Sequence, residues 1–139
     1  MKKMRDFRIE IINAIYYFEL IETKLDTKYI FENYSNLNNN QFLQIEKIAK
    51  NYAFLKTSIS TFLREDWSWN RISPLIRAIL INAANELFTI QPRIVINEAV
   101  EITKLYYGDD NNFYKMVNAI LNNVYKLFVK GEKILSEKK

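Results

Sequence analysis

Hydrophobic residues recur every three or four positions along most of the chain, which is the spacing of one buried face of an α-helix. The first such segment covers residues 4–22. A short second segment follows a capping residue at Asp26 or Thr27. A third covers residues 41–63, after the polar stretch 36–40, which is too short for a domain linker. The pattern predicts two long helices and one short helix in this half of the chain.

The second half shows the same periodicity with clearer start and stop signals. Ser73 followed by Pro74 is a typical helix start, with a capping residue and then proline at the first helical position. Residues 75–88 are apolar on almost every side, which predicts a central helix. A further helix is predicted over residues 93–107, and Gly108 suits its C-terminal stop.

A last helix is predicted to begin within residues 109–112 and to lead into a lysine-rich tail over residues 131–139. Two glycines and two prolines are too few for the many turns of an all-β protein. We therefore predict an all-α fold of about six to seven helices in a single domain, residues 1–139. Its N-terminal helical part covers about residues 1–65 and its C-terminal part about residues 66–130.

The composition excludes most enzyme classes. The chain has no histidine and no cysteine, which excludes histidine-based triads, thiol nucleophiles and ordinary zinc sites. Its two isolated glycines, Gly108 and Gly131, cannot form a phosphate-binding loop. We predict no catalytic residue, no metal and no cofactor, so the protein is not expected to be an enzyme. No apolar run reaches the ~20 residues of a membrane span, and a cytoplasmic location is the simplest interpretation.

Positive charge is concentrated at the two ends of the chain. Lys2, Lys3, Arg5 and Arg8 lie within the first eight residues beside a single aspartate, and residues 126–139 carry five lysines against two glutamates. The net charge of the whole chain is only +4, so the segment between the two ends is slightly acidic. Clustered charge of this kind favours a local contact with an anionic partner.

The N-terminal cations precede Tyr16 and Tyr17, so charge for phosphates lies near aromatic rings on which bases can stack. Cations at a helix N-terminus oppose the helix dipole at a cost of about 0.3–1 kcal/mol each, so stability alone does not explain them. The residues by themselves are equally consistent with RNA contact and with an ordinary solvated helix start.

Several ordered motifs resemble one known family, the bacterial transcription antitermination factors of the NusB family. They are Trp67-x-x-Asn70-Arg71-Ile72, Arg77-Ala78-Ile79-Leu80, Glu86-Leu87, Ile96-Asn97-Glu98-Ala99-Val100-Glu101 and Lys115-Met116-Val117-Asn118-Ala119-Ile120-Leu121. Ala14-Ile15-Tyr16 in the first predicted helix resembles a further family segment. The resemblance covers nearly the whole chain and is weakest over residues 22–63.

The resemblance implies two packed helical bundles and a non-catalytic role. It implies binding to NusE, a small-subunit ribosomal protein, and binding of the pair to single-stranded boxA-like RNA. That assembly lets the RNA polymerase antitermination complex pass termination signals on ribosomal RNA operons. The residues that we expect to contact RNA are Lys2, Lys3, Arg5, Arg8, Tyr16, Tyr17, Lys115 and Met116. Asn97, Glu98 and Asn118 are interpreted as structural signature residues, the two asparagines as buried amides that fix helix packing.

Other functions stay open at this point. The main alternative is a non-catalytic protein-interaction module that kept the fold and lost RNA binding. A homodimer through the face otherwise used by the partner is a second arrangement. An RNA-modifying role needs a separate catalytic chain. Metal-dependent hydrolysis is the weakest alternative, and it would draw on Glu98, Glu101, Asp109 and Asp110.

Overall fold

The computed structural model describes residues 2–131, and within that range the chain forms six α-helices and one short 3₁₀ helix. The predicted all-α fold is confirmed. The predicted lysine-rich tail lies outside the described residues apart from Gly131. The helices are α1 (Met4–Leu20), α2 (Thr27–Asn33), α3 (Asn39–Ser60), α4 (Pro74–Glu86), α5 (Pro92–Tyr107) and α6 (Phe113–Lys130), and the 3₁₀ helix covers Trp69–Arg71.

Local capping signals set several helix ends. Asp26 caps α2, because its carboxylate accepts a hydrogen bond from the backbone N–H of Tyr29 at 3.1 Å. At the start of α3, Asn38 and Gln41 form a reciprocal capping box, with side chain to backbone distances of 2.9 and 2.8 Å. This box starts α3 two residues earlier than the periodicity predicts. Gly108 ends α5 with φ +78°, a conformation that favours glycine.

Helix α4 lies at the centre of the fold, as its all-round hydrophobicity predicts. Every residue from 76 to 86 is buried, and α4 packs against α1, α3, α5 and α6. Helices α1 and α3 of the N-terminal half and helices α5 and α6 of the C-terminal half therefore meet on this helix. Three stacked rings help to join them, with Phe54 of α3 and Phe88 both packed on Phe128 of α6.

Two buried ion pairs fasten α1 to α4. Arg8 pairs with Glu86 at 2.9 Å near one end, and Glu19 pairs with Arg77 at 2.8 Å near the other. The pairing shows that the two helices run antiparallel. Arg77 also donates to the carbonyl of Glu19 at 3.0 Å and so caps the C-terminal turn of α1. Within residues 2–131, no helix is both long and apolar enough to cross a membrane.

Candidate nucleic-acid interface

Lys2 ties the start of α1 to the start of α3. Its ammonium group lies 2.6 Å from a carboxylate oxygen of Glu10 and 2.7 Å from the amide oxygen of Gln41, and it also donates to the carbonyl of Asn36. Lys2 and Gln41 together hold the pKa of Glu10 below its usual range, because both donate hydrogen bonds to the charged carboxylate. The hydrogen-bond donors of the Lys2 ammonium group are therefore used within the protein.

Arg5 joins α1 to α5 through a two-point ion pair with Glu98. Its Nε and Nη2 groups donate to the two carboxylate oxygens at 3.0 and 2.9 Å. The Arg5 side chain remains 41% exposed, whereas that of Glu98 is 18% exposed. The hydrogen bonds from Arg5 hold the pKa of Glu98 below its usual range, and the same contact raises the pKa of Arg5. No local sequence pattern indicates this partner for Glu98, because the two residues are 93 positions apart.

Arg8 is buried, which corrects its expected place beside Arg5 on an exposed helix start. Its side chain is 6% exposed and donates to both carboxylate oxygens of Glu86 at 2.9 and 3.0 Å. Three residues on an α-helix correspond to about 300° of rotation, so Arg5 reaches α5 while Arg8 turns towards α4. Lys3 is exposed. The four N-terminal cations therefore do not form one solvent-facing cluster.

The two tyrosines of α1 point in different directions. Tyr17 stacks on Tyr29 of α2, with ring centroids 5.6 Å apart and planes 3° from parallel. Tyr16 is half-buried and lies eleven residues after Arg5, which is about three helical turns and places both on one face of α1. On the adjoining edge, the hydroxyl of Tyr106 on α5 lies 3.5 Å from the side-chain oxygen of Asn13.

The surface between α1 and α5 is therefore continuous. Arg5 meets Glu98 at one end and Asn13 meets Tyr106 further along, so the two helices run in the same direction. We call this surface the α1–α5 face and define it by Arg5, Asn13, Tyr16, Glu98 and Tyr106. Arg5, a predicted phosphate-binding residue, and Tyr16, a predicted stacking residue, both lie on this face, about 16 Å apart along the axis of α1.

Lys115 and Met116 lie on the first turn of α6, between two grooves. Within residues 2–131, no hydrogen bond or ion pair joins them to the cations of α1. One neighbouring groove, of about 510 Å³, separates α6 from the segment after α3. We call it the α3–α6 groove; its apolar lining includes Phe62, Leu63, Trp67, Phe113, Met116 and Ile120.

The expectation that Asn97 and Asn118 are buried is wrong, because both side chains are exposed. The buried stripe of α6 is formed by Val117 and by residues three, four and seven positions later, and Asn118 falls beside it. Asn97 likewise lies outside the buried stripe of α5. Both asparagines line a second groove of about 580 Å³ between these helices. We call it the α5–α6 groove; its polar and aromatic lining includes Arg93, Asn97, Tyr114, Lys115, Asn118 and Asn122.

The acidic residues offer no arrangement for metal-assisted chemistry in the described part of the chain. Across residues 2–131, no three acidic side chains lie close enough together to hold a metal ion. Glu98 is bound to Arg5, and Glu101 lies 3.7 Å from the ammonium group of Lys104. These two carboxylates are therefore each engaged with a cation.

Comparisons with known proteins agree with this architecture. The sequence model of the NusB family matches residues 5–126. The transcription antitermination protein NusB of Staphylococcus epidermidis is 30% identical over 127 residues, which cover 86% of this chain and 96% of that protein. The protein of the same name from Fusobacterium nucleatum is 40% identical over 96 residues, or 65% of this chain and 61% of that protein. A solved structure of T. maritima NusB superposes with a TM-score of 0.74 at 28% identity, covering 95% of this chain and 96% of that one. The chain belongs to the NusB family.

Proposed function

We propose that this protein is a non-catalytic transcription antitermination factor that binds single-stranded, boxA-like RNA together with a NusE-type ribosomal protein. It acts in the cytoplasm, within an RNA polymerase antitermination complex on ribosomal RNA operons. The observation that carries the proposal is the α1–α5 face, where Arg5 and Tyr16 lie on one side of one helix. Family membership over residues 5–126 supports the same assignment.

Arg5 suits phosphate binding because Glu98 fixes its side chain without using all of its donors. A guanidinium group has five N–H donors, and the ion pair uses one on Nε and one on Nη2. Three donors remain for an RNA phosphate on a side chain that is 41% exposed. Lys3, which is exposed at the start of α1, adds a second phosphate contact next to it.

Tyr16 supplies the aromatic surface for a base. Stacking of a base on an aromatic ring contributes about 1–3 kcal/mol to binding. Tyr17 is assigned a structural role, because its ring is stacked on Tyr29 of α2. Lys2 and Arg8 have positioning roles, because Lys2 is paired with Glu10 and Arg8 is paired with Glu86. They hold α1 in the place from which Lys3, Arg5 and Tyr16 reach the RNA.

The α3–α6 groove is the proposed contact for the NusE-type protein. It is an apolar recess of about 510 Å³, the size that takes a few apolar side chains of a partner. Met116 lies in its wall, and a flexible thioether adapts well to the shape of a partner. Lys115 borders the groove and can reach RNA held by the joint surface. The same recess favours the second candidate function, a protein-interaction module that binds a partner or a second copy of itself without RNA.

Salt-dependent RNA binding tests the first part of the proposal. The affinity for single-stranded RNA should fall linearly with salt on a double-logarithmic plot, with a slope of about 0.7 per phosphate contact. Arg5→Gln should lower that slope by about 0.7, and Tyr16→Leu should weaken binding without changing it. Lys28→Gln on the exposed side of α2 is the matched control for charge. An Arg5→Gln variant with the slope and affinity of the parent protein contradicts the proposed RNA surface.

Titration with a NusE-type protein tests the second part. RNA affinity should rise when the partner is present, and by linkage the partner should bind more tightly when RNA is present. Met116→Asp should abolish the increase in RNA affinity that the partner produces. Leu43→Asp, at an exposed leucine of α3 outside the groove, is the control. Partner or self-association that depends on Met116, with no RNA binding at all, would favour the protein-interaction module.

A further inference from the structure

We propose that a recess between the end of α1 and the middle of α3 binds a small polyphosphate anion, such as the triphosphate chain of a free nucleotide. We call it the α1–α3 recess. Its volume is about 620 Å³, within the range of about 300–1,000 Å³ that is typical of small-molecule sites. It shares no lining residue with the α1–α5 face, the α3–α6 groove or the α5–α6 groove. The inference therefore goes beyond the proposed function and does not depend on it.

Distant parts of the chain converge on this recess. Its lining comes from the last turns of α1, the connection between α1 and α2, the middle of α3, the 3₁₀ helix and the first turn of α4. The apolar part of the lining consists of Ile15, Phe18, Leu25, Ala49, Ala53 and Trp69. A ligand in the recess therefore contacts both halves of the chain, and an apolar ring on that ligand has a surface to pack against.

Two buried ionic residues, Glu19 and Arg77, line the recess and balance each other's charge. The carboxylate of Glu19 accepts one hydrogen bond from Nε of Arg77 at 2.8 Å and another from the hydroxyl of Tyr52, so both of its oxygens are engaged. Arg77 also donates two hydrogen bonds from Nη1 and one from Nη2 to backbone carbonyls. A guanidinium group has five N–H donors, so one donor of this buried side chain remains for a ligand.

Three lysines in the lining carry positive charge that no carboxylate neutralises. Lys24 lies in the connection after α1, and Lys50 and Lys56 lie on α3. None of the three takes part in an ion pair among residues 2–131. The ammonium group of Lys56 lies 5.9 Å from the centre of the Trp69 ring, which favours a fixed position for this charge. Apart from the balanced buried pair, Glu22 carries the one carboxylate among the described lining residues, so the recess has a net positive charge.

The spacing of these lysines favours an anion whose charge is spread along its length. Lys50 and Lys56 are six residues apart, which is about 9 Å along the axis of α3. A chain of phosphates meets both ammonium groups without drawing the two side chains together, whereas a single phosphate or carboxylate does not. Each ammonium group is a compact point charge with three donors, which suits the many oxygens of a phosphate chain. An RNA strand carries only one charge per nucleotide, so a triphosphate presents more charge to a recess of this size.

The backbone next to the recess is strained at Glu22. This residue has φ +55°, in the left-handed region that favours glycine. Its N–H donates to the carbonyl of Glu19 at 3.2 Å, and the N–H of Thr23 donates to the carbonyl of Phe18 at 3.1 Å, a pattern that commonly ends a helix with glycine. Strained residues of this kind cluster at ligand sites. The strain at Glu22 therefore supports a binding role for this corner of the fold.

Calorimetric titration of the full chain with sodium triphosphate, in magnesium-free buffer of low ionic strength, tests the inference. Lys50→Gln and Lys56→Gln should each weaken triphosphate binding about tenfold, the effect of one lost hydrogen bond to a charged group. Glu22→Gln should strengthen binding, because it removes a carboxylate that repels the ligand. Lys47→Gln and Glu46→Gln change exposed residues of α3 outside the recess. These two matched controls should bind triphosphate as the parent protein does.

Tryptophan fluorescence locates the ligand. In a Trp67→Phe background, Trp69 is the single tryptophan of the chain, and its emission should change when triphosphate binds the ammonium group of Lys56. A parallel titration with ATP distinguishes a free polyphosphate from a nucleotide. Equal affinities indicate that the phosphates alone are recognised, whereas tighter ATP binding indicates that the apolar lining also holds the base. Both results support the site.

The inference is overturned if triphosphate does not bind, or if Lys47→Gln weakens binding as much as Lys50→Gln does, because the attraction is then non-specific. It is also overturned if the recess substitutions weaken binding of oligouridine and leave that of triphosphate unchanged, because the recess then belongs to the RNA surface. The tests of the proposed function use Arg5, Tyr16 and Met116, which lie outside the recess. Failure of either proposal is therefore seen separately.

Discussion

The replacement of Arg8 by methionine tests whether this N-terminal cation stabilises the fold or contacts RNA. In the structure Arg8 is 6% exposed and Glu86 is 10% exposed, and the two side chains share three contacts of 2.9 to 3.0 Å. Methionine fills similar space without charge, so Glu86 would keep only the Asn82 amide, which donates to it at 3.1 Å. An isolated buried carboxylate is costly because the low-polarity interior disfavours its charged form.

Breaking a buried ion pair by removing one partner costs about 3–5 kcal/mol. With a urea dependence of about 2 kcal/mol per molar for a small protein, Arg8→Met should lower the unfolding midpoint by about 2 M. Arg5→Met breaks a partly exposed pair and should lower the free energy of unfolding by about 1 kcal/mol. Both are measured by urea titration of the helical circular dichroism signal.

The double variant Arg8→Met/Glu86→Met tests the cause. It removes both buried charges, so most of the loss should be recovered, apart from the hydrogen bond that Asn82 no longer makes. The explanation is refuted if Arg8→Met is no more destabilising than Arg5→Met. It is also refuted if Arg8→Met lowers the salt slope of RNA binding while the midpoint stays unchanged, because Arg8 would then be a surface contact.

Three further outcomes follow from the same structure and need only unfolding curves. Asn118→Leu should change the free energy of unfolding by less than about 0.5 kcal/mol, since the side chain is exposed. Gly108→Ala should cost about 1–3 kcal/mol, because φ is +78° and the added Cβ would lie 3.3 Å from the Asp110 carboxylate. Glu98→Gln should lower stability at neutral pH. Because Arg5 lowers the pKa of Glu98 from its ordinary 4.5, the difference in unfolding free energy between this variant and the parent protein should shrink as the pH falls below that value.

The helices could be predicted because their signals are local. A hydrophobic stripe and a capping residue lie within a few positions of each other, so α4 and its proline start are visible in the sequence. The hydrophobic periodicity predicts the start of α3 two residues late, because it takes no account of the reciprocal pair Asn38 and Gln41. That signal was available, since an asparagine followed three residues later by glutamine is a capping pattern.

The exposure of the asparagines could also be predicted from the sequence. Val117, Ile120, Leu121 and Val124 define the buried stripe of α6 by their spacing, and position 118 lies outside it. The interpretation of the asparagines as buried amides rests on the general tendency of buried polar groups to be hydrogen-bonded, whereas the helical periodicity indicates exposure. The periodicity was correct because it reflects the geometry of this helix directly.

The pairing of the cations could not be predicted. Arg5 and Glu98 are 93 residues apart, and Arg8 and Glu86 are 78 residues apart, so no local pattern connects them. Lys2, Lys3, Arg5 and Arg8 look equivalent in the sequence because each is one positive charge. Which of them meets a carboxylate depends on how α1 is rotated against α4 and α5, and packing alone decides that.

The same pairing gives a physical reason for a joint RNA surface. Lys2 and Arg8 are each paired with a glutamate, and Arg5 shares its charge with Glu98. Affinity for RNA comes largely from the number of phosphates that a protein contacts, and of the four N-terminal cations only Lys3 and the remaining donors of Arg5 are available for such contacts. Tight binding then requires contacts from elsewhere. Under the proposed function, a NusE-type partner at the α3–α6 groove supplies these contacts. An N-terminal cluster that is largely committed to holding the fold together is therefore consistent with a protein that binds RNA well only as one part of a larger surface.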